Sequence, residues 1–141
     1  LVLGLTGMAC ETVSEDPVFD RTPSIELVEL SADTLVQFQD QLAIRIAYED
    51  GDGDIGSEDP DVNTIFVKDD RLAAAEPYYV APIAPVGANV SITGTLNLML
   101  SKTIVLGNAD QEVTTFSIYL VEQAGHQSNT IQTPLITIIR E

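Results

Sequence analysis

Residues 41–48 alternate strictly. Leu42, Ile44, Ile46 and Tyr48 take one parity, and Gln41, Ala43, Arg45 and Ala47 take the other. A period of two marks a strand with one face buried. The pattern recurs: Ile25 and Leu27 mark a first strand, and Asn63–Lys68 is a short β-branched and aromatic run. Val90, Ile92, Leu96, Leu98 and Leu100 mark one face of a long strand, with Gly94 expected to form a bulge or bend. Lys102–Leu106 is expected to continue that strand past a kink, and Gly107-Asn108 is a turn signal. Phe116, Ile118 and Leu120 share a core face with Tyr119 opposite, and Ile131–Ile139 is the last strand, placed at an edge or bulge by Pro134. Ser31–Gln41 suits a helical turn, but Thr34, Val36 and Phe38 suit a strand as well. Residues 69–89 are irregular, with Pro77, Pro82 and Pro85, and leave room for a short edge strand near Tyr79 and Val80. Strands spaced by turns, without a convincing helix, predict an all-β sandwich.

The first strongly alternating segment runs straight into acid. Glu49–Asp61 holds seven of the 22 acidic residues in 13 positions, with no Lys or Arg among them. Asp50, Asp52 and Asp54 alternate with glycine, so the backbone can curl and aim carboxylates at one point. Hard oxygen donors on a flexible loop suit Ca²⁺. Asp50, Asp52 and Asp54 are the leading candidate ligands, Glu58 and Asp61 the weaker ones, with a backbone carbonyl near Gly56 in addition. A solvated acidic turn without an ion is the other reading. The loop is not an EF-hand: counting from Asp50, Ile55 stands where glycine is required and Asp61 where a bidentate Glu is expected.

Composition narrows the function. The chain has 141 residues and a formal charge of −16, with only six Lys and Arg. That opposes binding to nucleic acid and to anionic headgroups, both of which need cationic side chains. One His and one Cys are too few for a zinc site of the usual kind. Any Ser–His–Asp arrangement would have to use His126, which lies in a Gly/Ser/Asn loop. Paired carboxylates for glycoside hydrolysis would need a shaped cleft, which so small a domain struggles to supply. No catalytic residue, enzymatic activity or organic cofactor is therefore expected. Tyr78-Tyr79 is either a contact surface for a protein or glycan partner or simple packing.

Leu1–Ala9 is a short apolar run ending in small residues directly before Cys10, the only cysteine. It reads as the tail of a secretory h-region. It resembles the lipobox of bacterial lipoproteins, although Gly7 stands where Leu, Val or Ile is usual. The resemblance implies removal of the leader and lipidation of Cys10. Residues 11–23 are acidic and proline-punctuated, and are expected to form a disordered tether of at most roughly 45 Å. An acidic patch after the lipidated Cys resembles the surface-export signal of Bacteroidota-type lipoproteins. The run Thr115–Thr130, followed by Pro134–Ile138, resembles the last hairpin of bacterial immunoglobulin-like or fibronectin-type-III-like domains. Tyr48–Gly56 followed by Phe66–Asp69 is similar to small Bacteroidota lipoproteins that carry such a domain. The resemblance implies an antiparallel sandwich of about seven strands over residues 24–141. It also implies anchorage at the outer membrane, exposed on the cell surface, and a structural or protein-binding role, with a carbohydrate-binding accessory as the alternative.

Overall fold

The computed structural model describes residues 19–141. The leader, Cys10 and residues 11–18 of the expected tether lie outside the described residues. Among the described residues there are ten strands and no helix. They are β1 (Ser24–Leu30), β2 (Thr34–Val36), β3 (Leu42–Asp50), β4 (Ile65–Asp69), β5 (Glu76–Tyr78), β6 (Ile92–Leu100), β7 (Gln111–Thr114), β8 (Phe116–Leu120), β9 (Ile131–Gln132) and β10 (Ile136–Ile139). They form sheets ordered β1-β3-β6, β5-β4-β8-β9 and β2-β10-β7. All pairings are antiparallel except that of β2 with β10. The result is an all-β, sandwich-like arrangement around one core.

The alternation sets which face is buried. Leu42, Ile44, Ile46 and Tyr48 on β3 are buried together with Ile118 and Leu120 on β8 and Ile136 and Ile138 on β10. Removing such side chains from water is the main driving force of the fold. On the outer face Phe66 of β4 stacks on its cross-strand neighbour Tyr119, with ring centroids 5.2 Å apart.

Ten strands appear where about seven are expected, because three paths break as they change partners. β1 gives way to β2, β7 breaks at Thr115 before β8, and β9 breaks around Pro134 before β10. Side chains bridge the breaks: the Phe116 amide donates to Thr133 Oγ1 (3.0 Å) and the Leu120 amide to Ser128 Oγ (2.8 Å). Asn129 mimics a strand residue, accepting from the Ile25 amide and donating to the Ile25 carbonyl, which ties β1 to the last hairpin.

Three expectations are corrected. Gly94 makes no bulge, since the β3–β6 register runs unbroken through Tyr48↔Gly94. It is glycine because a Cβ there would lie 2.6 Å from the Tyr48 hydroxyl. The irregularity falls instead in β1, between Leu27 and Glu29. Ser101–Leu106 is not a laddered strand. Phe38 is not a strand residue: it sits 73% exposed at φ 64° in a turn closed by the Asp40 carboxylate on the Val36 amide.

Candidate metal centre

β3 carries its inward parity one step beyond Tyr48, to Asp50, which is wholly buried. β8 does the same: the parity of Phe116, Ile118 and Leu120 continues to Glu122, whose side chain has no exposed surface. Two carboxylates from strands of different sheets thus enter the interior at one end of the molecule. Asp54 joins them. Ligand atoms of Asp50, Asp54 and Glu122 all lie within 4.8 Å of one another, and those of Asp52, Glu122 and His126 form a second, overlapping group.

The loop is built to hold this geometry. Gly53 (φ 70°) and Gly56 (φ 94°) occupy the left-handed region, and a Cβ on either would meet a backbone carbonyl, of Val90 or Ala81. Ile55 is fully buried and anchors the loop in the core. The amides of Asp52 and Asp54 donate to Asp50 Oδ1 (3.4 Å) and Oδ2 (3.0 Å). The Gln123 amide donates to the Asp54 carbonyl, the Ala124 amide to Asp54 Oδ2, and Gln123 Nε2 to the Gly56 carbonyl. Tyr79 holds the far side, its hydroxyl donating to the Ser57 carbonyl at 2.7 Å.

Two carboxylate oxygens inside the cluster, Asp54 Oδ1 and Glu122 Oε2, are buried without a hydrogen-bond partner among the described residues. Burial pushes the Glu122 carboxyl up to about 9, helped by the adjacent Asp54 and Asp50. Burial also raises Asp50, aided by Asp54. His126 Nδ1 contacts Glu122 Oε1. Without a cation, three clustered carboxylates can persist only if protons neutralise part of the charge.

The donor set fits a hard divalent cation. Ca²⁺–oxygen distances of 2.3–2.6 Å place opposite ligands about 4.6–5.2 Å apart, close to the spread of these oxygens. Asp50 and Asp54 would hold the ion from the loop, and Glu122 from the facing hairpin. A depression of about 250 Å³ lined by Asp52, Asp54 and Gln123 opens beside them.

The expected residues separate. Asp50 and Asp54 come together with Glu122, whereas Asp52, its side chain 18% exposed, groups with Glu122 and His126 and its Oδ1 lies 3.6 Å from Arg21 Nε. Glu58 and Asp61 are exposed and belong to neither group. The Gly56 carbonyl is already taken by Gln123. Glu122 was missed, although its parity with Leu120 was the available signal. Tyr78 packs on the core, and burial followed by the nearby Glu76 pushes its hydroxyl up to about 12. Tyr79 stays 43% exposed. Part of the expected tether is docked: the Gly51 amide donates to the Asp20 carbonyl at 2.8 Å, and Pro23 is buried. No family model, curated protein or solved structure matches this chain.

Proposed function

We propose that the chain is a non-enzymatic bacterial surface lipoprotein. On this reading an immunoglobulin-like, fibronectin-type-III-like module hangs from the outer membrane by lipid on Cys10. Calcium stiffens its acidic end, and its role is structural or protein-binding. The sheet orders β1-β3-β6 and β5-β4-β8-β9, with β2 running parallel to β10, support the immunoglobulin-like assignment. The observation that carries the calcium reading is the pair of buried, unpartnered oxygens on Glu122 and Asp54. Buried carboxylate oxygens lacking a donor are what a bound cation would satisfy.

A cation there would join the β3–β4 loop to the β8–β9 hairpin, two segments from different sheets. The described chain begins at this same end, so a tether from Cys10 would leave beside the acidic loop and turn the opposite end outward. Calorimetric titration of metal-stripped protein with CaCl₂ is the test. Binding at about 10⁻⁴ to 10⁻³ M is expected, with loss of the signal in Asp50→Asn and Glu122→Gln. A parent protein giving neither heat nor a melting shift in millimolar calcium would overturn the calcium reading. Mass spectrometry of the mature protein tests the anchor: an acylated N-terminal Cys10 is expected, and an unmodified Cys10 still joined to residues 1–9 would refute it.

A further inference from the structure

The end opposite the acidic loop holds a cavity of about 430 Å³, the size of a peptide or small-ligand site. Its floor is core: Val67, Leu100 and Phe116. Its rim includes Leu72 and Leu106, 46% and 45% exposed. One wall is Lys102–Ile104, in the unladdered segment that follows the edge strand β6 past the last β3 pairing at Leu42↔Leu100. The backbone amides and carbonyls of Ser101–Ile104 make no hydrogen bond to other described residues, and pairing resumes only at the Val105 amide, which donates to Gln37 Oε1. The hydroxyl of Thr103, in the same wall, is buried without a partner. The facing wall is β5, the edge of the other sheet, where Pro77 removes an amide donor.

We propose that this slot takes an extended peptide segment of a partner protein, with apolar and basic residues in alternation, added as a strand along Ser101–Ile104. A row of main-chain donors and acceptors left unpaired by the other described residues is matched by another main chain rather than by a compact small molecule. In an added strand successive side chains point to opposite faces. One set fills the apolar floor. The other meets the surface of a chain carrying 22 acidic and six basic residues, whose one cation at this cavity, Lys102, is already paired with Glu76 at 3.6 Å. Pro77 removes one donor from the facing wall, so main-chain pairing is favoured along Ser101–Ile104. The inference rests on the reading of the chain as a binding module. It does not depend on the cation at the other end.

The probe is a capped synthetic peptide, Lys-Val-Lys-Phe-Lys-Val-Lys, measured by fluorescence anisotropy at physiological salt. Its controls are a scrambled isomer and a version N-methylated at alternate residues. The alternating peptide is expected to bind at least about tenfold tighter than either control, the worth of one anchored side chain. It should protect alternate amides of the Ser101–Ile104 segment from hydrogen exchange. Ala75→Trp, which fills the cavity from its rim, should abolish binding with the melting temperature unchanged. Equal binding of the scrambled isomer would mean charge attraction only. Equal binding of the N-methylated peptide, or protection mapping elsewhere, would overturn strand addition. Calcium titration of the same samples reads out the other end separately.

Discussion

Glu122→Gln in metal-free protein separates the two ways the acidic cluster can be neutralised. In the fold the Glu122 carboxyl is pushed up to about 9, against an ordinary value of 4.5. Between those values the folded chain holds a proton that the unfolded chain has released, so stability falls as pH rises through this window. From pH 4.5 to pH 7 the effect amounts to about 3 kcal/mol. Asp50, also raised, adds to it in the same direction. Gln has the shape of the neutral acid and does not titrate. The variant should therefore be more stable than the parent by up to about 3 kcal/mol in EDTA at pH 7, with the difference vanishing near pH 4.5. In calcium at 100 times its dissociation constant the parent gains about 2.7 kcal/mol, and the gap closes.

The assay is urea unfolding followed by far-UV circular dichroism, since the chain has no Trp. It is run in EDTA and in CaCl₂ at several values between pH 5 and pH 8. Asp69, Asp70 and Glu112 are held below their usual range, so the stability they contribute is present above those ordinary values and is lost only as pH falls below about 4. They do not contaminate the window. A variant no more stable than the parent in EDTA at pH 7 would refute the neutral, buried Glu122. A variant that keeps the full calcium stabilisation would remove Glu122 from the ligand set.

Arg71 makes a bidentate pair with Asp69 and a further bond to Glu112, all largely buried, so Arg71→Met should lower the urea-derived stability by about 2–3 kcal/mol. Asn129→Ala strips both backbone bonds from Ile25 and should cost about 2 kcal/mol, with faster hydrogen exchange at the Ile25 amide than elsewhere in β1. Gly51→Ala places a Cβ 2.3 Å from the Phe19 carbonyl and 2.7 Å from that of Asp20. It should undock residues 19–21 and speed tryptic cleavage after Arg21.

The strands that could be read from the sequence were those whose faces see two different environments. β3 and β8 alternate because one side packs and the other is less buried, and the identity of the buried face follows from that alone. Where the two sides do not differ, the pattern is silent. Ser101–Ile104 carries strand-like residues but pairs with no other described residue, and pairing is a tertiary fact that the residues themselves do not state. Phe38 shows the opposite failure, because its residue type suits a strand while a local turn, closed by Asp40, holds the ring outside. Gly94 is required by the phenol of Tyr48 across the ladder, a contact between residues 46 positions apart.

The candidate site was half legible for a related reason. The acidic run drew attention to the loop, where charge density is high, and Glu58 and Asp61 were included because they are acidic and near in sequence. Density is a weak guide, since exposed carboxylates are solvated at little cost and need no ion. The stronger sign was parity. Asp50 follows Leu42, Ile44, Ile46 and Tyr48 on the inward face, and Glu122 follows Phe116, Ile118 and Leu120. Each is the first charged residue on a face otherwise committed to the core. Neither can reach water without its strand giving up the register that buries the others, so each must take a proton, a donor or a cation where it stands. Asp50 finds donors in the amides of its own loop, and the Glu122 Oε2 oxygen finds none. Asp54 Oδ1 shares that lack among the described residues, so Glu122 together with Asp54 is where the proposed binding of a cation is tested.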